Sequence, residues 1–256
     1  MQKVILLWGG PQNRCRVFLR SMRQKKKITV NGNVDLYAVV FNRTTETDLT
    51  EDQLPQVDIY KYKQVIFVGD SRTEFMENVL TGMGESATKN VKFVCSAGKG
   101  LDWFTTTGWA QLYSIVQHDS NSILSKKTAV IFNFGVNDLS KSADYAEYYN
   151  WIAPQLKSKG CELYFMSVNP VNRLMLPNAG RADRSEAAVR SFNQYMKANL
   201  SSAYTYIDMY SYLKSTGYSF ASDHYGTGTV DDGLHYTTRT YKRIFAKCMD
   251  SLRVPA

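Results

Sequence analysis

Residues 64–73 read "QVIFVGDSRT". An apolar run passes into a glycine, an acid and a hydroxyl, the pattern of a buried strand giving way to the start of a helix. Ser71 then has two readings. It caps the helix that follows, a place where Ser and Asp are favoured, or it is a nucleophile held at a strand end. The rest of the chain has to decide between them.

Downstream the same alternation recurs. Further near-continuous apolar runs stand at 91–96 ("VKFVCS"), 128–135 ("TAVIFNFG"), 161–168 ("CELYFMSV") and 204–209 ("YTYIDM"). Runs of this kind suit strands covered by helices on both faces. Helical segments are expected around 71–82, 107–118, 141–158 and 183–199, with a last helix from about Tyr236 to Leu252. This β-α-β-α order predicts an α/β fold with a doubly wound sheet of about five parallel strands. Upstream, "ITVNGNVDLYAVVF" (28–41) alternates around "NGN", which suggests a β-hairpin. The stretch 43–60, "RTTETDLTEDQLPQVDIY", is polar, acidic and proline-containing and reads as a linker. The expected organisation is therefore a small β-rich appendage over 1–60 and the α/β domain over 61–256.

The chain of 256 residues carries a formal net charge of +8. All of that excess lies in residues 1–27, which hold Lys3, Arg14, Arg16, Arg20, Arg23, Lys25, Lys26 and Lys27 and no acid. Residues 28–256 balance 23 basic side chains against 23 acidic ones. A basic leader can attract phosphates, but a solvated tail is the plainer reading, and no nucleic-acid-binding signature accompanies it. No nucleic-acid partner is expected. No apolar stretch approaches the roughly 18 residues a membrane span needs, and "VILLW" is short for a secretory leader. The four cysteines, Cys15, Cys95, Cys161 and Cys248, are scattered without ligand spacing, so no metal is expected. Cys95 and Cys161 read as buried free thiols.

In doubly wound sheets, sites form beyond the carboxyl ends of the strands, beside the point where strand order reverses. A flavodoxin-like order, 2-1-3-4-5, would put that point between the first and third strands. Ser71 and Asn137, from "NFGVNDL", would then face one crevice. The second strand ends in "SAGKG", which brings Gly98, and the fifth is followed after a loop by "DDGLHYT", with Asp232 and His235. Each piece has a structural explanation: a turn glycine, an Asn tolerant of a left-handed backbone, a histidine in a turn. Their joint occurrence at strand ends favours chemistry. A serine nucleophile needs a base, and the chain has three histidines, His118, His224 and His235. His235 is the best placed, because Asp232 three residues earlier can orient its ring. His224 is the fallback. The elbow G-x-S-x-G is absent around Ser71, which disfavours the α/β-hydrolase fold.

"GDS", "AGKG", "GVND" and "DGLH", in that order, resemble the four blocks of the SGNH (GDSL-type) esterases over about residues 64–252. The resemblance implies a flavodoxin-like hydrolase with Ser71 as nucleophile, His235 as base and Asp232 as its orienting acid. It implies an oxyanion hole from the N–H groups of Ser71 and Gly98 and the side-chain amide of Asn137. It implies no cofactor. Arg72 stands where the family's commonest form has Leu, and with Lys99 and Trp103 it is a candidate substrate contact. The mixture in "KGLDWFTTTGW" (99–109) suits a short acyl group on a carbohydrate. The alternatives are a lysophospholipase or thioesterase, for which Leu174, Met175 and Leu176 could form a groove, and a non-catalytic sugar-binding module using the chain's many aromatics. Residues 28–41 also weakly resemble the end of a repeat of bacterial surface proteins, which would imply a secreted parent protein.

Overall fold

The computed structural model of the chain describes residues 3–9, 14–21, 24–31, 40–41, 48–57, 61–119, 127–177, 180, 182–223 and 225–252, and for those before Asp48 the backbone only. Strands β1 (Lys3–Gly9), β2 (Arg14–Ser21), β3 (Gln24–Asn31) and β4 (Val40–Phe41) form an antiparallel sheet in the order β3-β2-β1-β4. Of the expected hairpin over 28–41, residues 32–39, its turn and most of its second arm, lie outside the described residues. Its two ends join different strands, β3 pairing with β2 and β4 with β1. Alternation specifies which faces are apolar and not which strand is the neighbour. The basic stretch is likewise paired backbone rather than a tail, with Arg16 opposite Thr29 and Arg20 opposite Lys25.

A second sheet contains β5 (Tyr62–Gly69), β6 (Val91–Cys95), β7 (Lys127–Asn133), β8 (Cys161–Met166) and β9 (Tyr204–Ile207). Its order is β6-β5-β7-β8-β9, with every neighbouring pair parallel. Numbered within this sheet, that is the expected 2-1-3-4-5, and the order reverses between β5 and β7.

Both faces of the inner strands β5, β7 and β8 are buried, as their unbroken apolar runs require, while the edge strands β6 and β9 are partly exposed. On one face Ile66, Val68, Val130, Phe132, Leu163 and Phe165 share a core. It is covered by α2 (Trp109–Asp119), α3 (Ser142–Ser158) and α4 (Glu186–Asn199) through Leu112, Tyr149, Ile152 and Phe192. On the other face Val65, Phe67, Ala129, Ile131, Tyr164 and Met166 pack against α1 (Ser71–Thr81), α5 (Met209–Thr216) and α6 (Thr238–Ser251). Cys161 and Cys248 are buried free thiols, and Cys95 is half-buried.

Two expectations change. Residues 48–57 are not a spacer: Leu54 and Val57 are buried in the second core, and Lys242 of α6 reaches the Asp48 carboxylate at 3.1 Å. Three aliphatic side chains, Leu49, Leu54 and Val57, spaced five and three apart among polar residues give no periodicity to read, so composition alone suggested a linker. The segment after Gly100 is helical from Leu101, widening to a π-type turn over Phe104–Gly108 before α2. The helix expected around 107–118 therefore starts earlier than the sequence suggested.

Candidate active site

Gly69 ends β5 where there is no room for a side chain. A Cβ there would lie 2.0 Å from Thr73 Oγ1 and 2.9 Å from the Asn133 carbonyl. Asp70 follows and caps α1: its Oδ1 accepts the Arg72 N–H at 3.0 Å, and its carbonyl accepts the N–H groups of Thr73 and Glu74. The two readings of Ser71 are separated by this neighbour. Asp70 occupies the capping position, so Ser71 is the first residue of the helix, and its hydroxyl lies 2.9 Å from Nε2 of His235.

His235 arrives on the turn that leads to α6. Asp232 builds that turn, its Oδ1 accepting the N–H groups of Leu234 at 2.9 Å and His235 at 2.8 Å. Its Oδ2 meets Nδ1 of the His235 ring at 2.7 Å. One carboxylate thus shapes the turn and orients the imidazole. Ser71, His235 and Asp232 are all buried, and the Phe75 ring stacks on His235 at 4.3 Å between centroids. Burial pushes the Asp232 carboxyl up, but the hydrogen bonds from the His235 ring and from the backbone of His235 and Leu234 outweigh it, leaving the group at about 2. At neutral pH it is an acceptor for Nδ1–H. Asp70 behaves oppposite in sign: burial dominates the bond from Arg72 and pushes its carboxyl up to about 6.

The other two expected blocks meet beside this group. Gly98 has φ +71°, with open space around the position of a Cβ, so its glycine is required by backbone handedness rather than by crowding. The loop holding it is tied to α1 by the Ala97 N–H, which donates to Glu74 at 2.6 Å. It is tied to the loop after β7 by Asn137, whose Nδ2 donates to the Lys99 carbonyl at 2.8 Å. Asp138 closes the same junction, accepting from the Leu101 N–H at 2.9 Å and from the Tyr145 hydroxyl at 2.8 Å. Gly98 and Asn137, far apart in sequence, therefore stand on joined loops.

The candidate substrate contacts fare differently. Arg72 is corrected: it is buried and turned away from solvent, with Nε donating to the Leu234 carbonyl at 2.9 Å, Nη1 to Asn169 at 2.8 Å and Nη2 to Pro170 at 2.9 Å. Its guanidinium also lies over the Tyr236 ring at 5.0 Å. A fork of fixed donors matches converging carbonyls, and here it fastens the His235 turn to the loop after β8. Lys99 is exposed. Trp103 is half-buried and packs against Phe134 at 6.1 Å. His118 and His224 have side chains outside the described residues. Leu176 is buried in the core and Leu174 is 45% exposed, so the two do not share a surface.

Three residues near the site escaped the sequence reading. Phe75 had a signal, since a helix puts positions 71 and 75 on one face. Glu74 and Arg184 had none, because their partners come from distant loops. Among the described residues no cluster of His, Cys, Asp and Glu is placed to hold a metal ion, and no helix is long and apolar enough to cross a membrane.

The arrangement has known counterparts. A proposed acylhydrolase from Bacteroides fragilis NCTC 9343 superimposes with a TM-score of 0.51 at 16% identity, over 78% of this chain and 92% of that one. A proposed SGNH hydrolase from Slackia heliotrinireducens gives a TM-score of 0.52 at 12% identity, over 75% of this chain and the whole of that one. At such identities the likeness is one of fold. No curated protein matches the sequence significantly. The model of one family, described as GDSL-like Lipase/Acylhydrolase, matches residues 65–248, a span holding all five of Ser71, Gly98, Asn137, Asp232 and His235; the chain belongs to that family.

Proposed function

We propose that the protein is a serine esterase that removes short acyl groups, acetyl foremost, from carbohydrate hydroxyls. The observation that carries this reading is the unbroken contact chain from Asp232 through His235 to the Ser71 hydroxyl, with 2.7 and 2.9 Å steps. Nucleophile, base and orienting acid stand within hydrogen-bond reach, the geometry such catalysis requires.

In the proposed reaction His235 Nε2 takes the Ser71 proton as Oγ attacks the ester carbonyl. Asp232 holds Nδ1–H and stabilises the imidazolium that forms. The carbonyl oxygen becomes an oxyanion, received by the N–H groups of Ser71 and Gly98 and by Asn137 Nδ2. Donors held in place before charge develops supply a large share of such rate enhancements. The tetrahedral species collapses, and the alcohol leaves with the proton from Nε2. Water, deprotonated by the same nitrogen, then attacks the acyl-serine, releasing the acid and restoring the Ser71 hydroxyl.

The substrate class is drawn from a depression built partly by the segment after Gly98, which none of Ser71, Gly98, Asn137, Asp232 and His235 lines. It has a volume of about 300 Å³ and lies between Leu101 and Thr105 on one side and Asp144, Glu147, Tyr148 and Trp151 of α3 on the other. Trp151 is 59% exposed and pairs with Tyr148 at 5.6 Å between ring centroids. Flat rings beside carboxylates suit the faces and hydroxyls of a sugar. A long acyl chain would instead favour a continuous apolar groove. The test is kcat/KM against p-nitrophenyl esters of rising acyl length, alongside acetylated oligosaccharides. It should peak at about two carbons; a maximum at eight or beyond, or preference for lysophospholipid, would turn the reading to a lipase, since pocket size sets such discrimination.

The unit that performs this chemistry begins, in our reading, near Asp48 rather than Lys61, because Leu54 and Val57 belong to its core. A chain shortened to Asp48 should keep its kcat. One shortened to Lys61 should lose roughly 3 kcal/mol of stability, the value of burying two such side chains.

A further inference from the structure

We infer that Arg184 is the positioning residue of the oxyanion hole, fixing which end of the Asn137 amide faces the reacting carbonyl. The inference rests on the reading of Asn137 as an oxyanion donor. An Asn side chain offers two N–H donors at one end and a carbonyl acceptor at the other, and can be turned end for end at little steric cost. Only one orientation can stabilise an oxyanion. Something has to choose it.

In this structure both ends of the amide are committed by their neighbours. Oδ1 accepts from Arg184 Nη2 at 2.9 Å, and Nδ2 donates to the Lys99 carbonyl at 2.8 Å. Reversing the amide would set its N–H groups against a guanidinium and its oxygen against a carbonyl. Both contacts would become mismatches, and at the part-buried one donors would face donors with no acceptor between them. The Lys99 carbonyl uses one Nδ2 hydrogen, which leaves the second for the substrate oxygen. Arg184 also donates from Nε to the Val136 carbonyl at 2.6 Å and from Nη1 to the Ala182 carbonyl at 3.0 Å, so it grips the backbone next to Asn137 as well as its side chain.

The guanidinium is itself anchored. Arg184 precedes Ser185, the N-cap of α4, whose Oγ accepts the Ala188 N–H at 3.0 Å. Glu186, in the first turn, accepts the Val171 N–H at 3.1 Å and so ties this helix start to the loop after β8. A planar fork on a rigid helix terminus can hold a bidentate pose that a lysine cannot. Arg184 stands to Asn137 as Asp232 stands to His235: each fixes the orientation of a group whose two ends differ chemically.

A double-mutant cycle on the full chain tests this. Arg184→Gln should lower kcat about 10-fold with little change in KM, less than the roughly 10²–10³-fold expected of Asn137→Ala. In the Asn137→Ala background, Arg184→Gln should have almost no further effect, since the group it orients is gone. Arg184→Lys should recover part of kcat, and it carries the same cycle if Arg184→Gln lacks a cooperative thermal transition. A full and independent loss in the Asn137→Ala background would overturn the inference and assign Arg184 to the substrate or to folding. An unchanged kcat in either Arg184 variant that folds would overturn it too. If Asn137→Ala itself leaves kcat intact, the oxyanion assignment fails together with the inference, a result distinct from additivity.

Discussion

The two ends of the same parallel sheet both hold a polar cluster, and they are built on different plans. At the carboxyl edge, Ser71, His235 and Asp232 come from the start of α1 and the turn before α6, meeting beside loops that carry Gly98 and Asn137. At the opposite end, the Tyr62 hydroxyl bonds Glu162 and meets the Tyr164 hydroxyl at 2.7 Å. Lys127 and Lys61 approach Glu162 there at 2.6 and 3.6 Å. The far cluster is made by side chains on the strands themselves or directly before one, and its carboxylate is neutralised by cations. It joins β5, β7 and β8. The near cluster keeps a hydroxyl against an imidazole, with its carboxylate spent on orienting that ring. A partly buried polar network is thus no mark of a site; what distinguishes one is a reactive group delivered by a loop to a strand end.

The comparison is most easily broken at Ser71. Ser71→Ala or His235→Ala should each reduce kcat by about 10⁴-fold or more, and the double variant should be little worse, because the members act as a unit. A serine-directed fluorophosphonate should label Ser71 and no other serine. A folded Ser71→Ala protein with full turnover would reduce the carboxyl-edge cluster to the same status as the far one.

A control of matching chemistry at the other end sharpens it. Glu162→Gln should leave kcat within about twofold while lowering stability by roughly 1 kcal/mol, as expected for hydrogen bonds weakened in a part-buried network. Thermal unfolding and steady-state kinetics on the same sample would separate the two effects. A large loss of kcat with unchanged stability would mean that the far cluster communicates with the site.

The smallest effect expected is one of sign. Burial raises Asp70 from an ordinary 3.8 to about 6. Its folded form holds the proton more tightly, so its contribution to stability is full below about pH 3.8 and is lost as pH rises through about 6. Glu162 is the reverse. Burial pushes it up, but Lys127 and the Tyr62 hydroxyl bring it from 4.5 to about 2. Its contribution is present above about pH 4.5 and is lost as pH falls towards 2. Relative to the parent, Asp70→Asn should therefore gain stability between pH 4 and 6, and Glu162→Gln should close its deficit as the solution is acidified below pH 4. Melting temperatures across pH 3–7 would reveal two slopes of opposite sign; parallel slopes would remove this distinction between the ends.

Much of this was legible before any coordinates. Unbroken apolar runs at 64–69, 128–135 and 161–168 required burial on both faces, and a sheet of that kind closes only with helices on each side, so strand content and fold class followed from composition along the chain. The four strand-end signals carried the residues of the candidate site, because loop chemistry such as "GDS" and "DGLH" is local and survives in one dimension. Tertiary structure decided what depends on distant partners. The sequence placed Arg72 beside the nucleophile, but only folding brought the carbonyls of Asn169, Pro170 and Leu234 around its guanidinium and took it away from any substrate. Alternation at 28–41 predicted strands but not their neighbours. Leu54 and Val57 looked like linker until α6 and the sheet supplied a surface for them. Arg184 carried no pattern at all, since its meaning lies in an amide 47 residues away. Local propensity and periodicity are properties of neighbouring residues, whereas a hydrogen bond across loops is a property of the closed chain. The sequence alone therefore determined the strands of the parallel sheet, most of the helices that cover it and the candidate reactive groups, and the fold alone determined what holds those groups in their orientations.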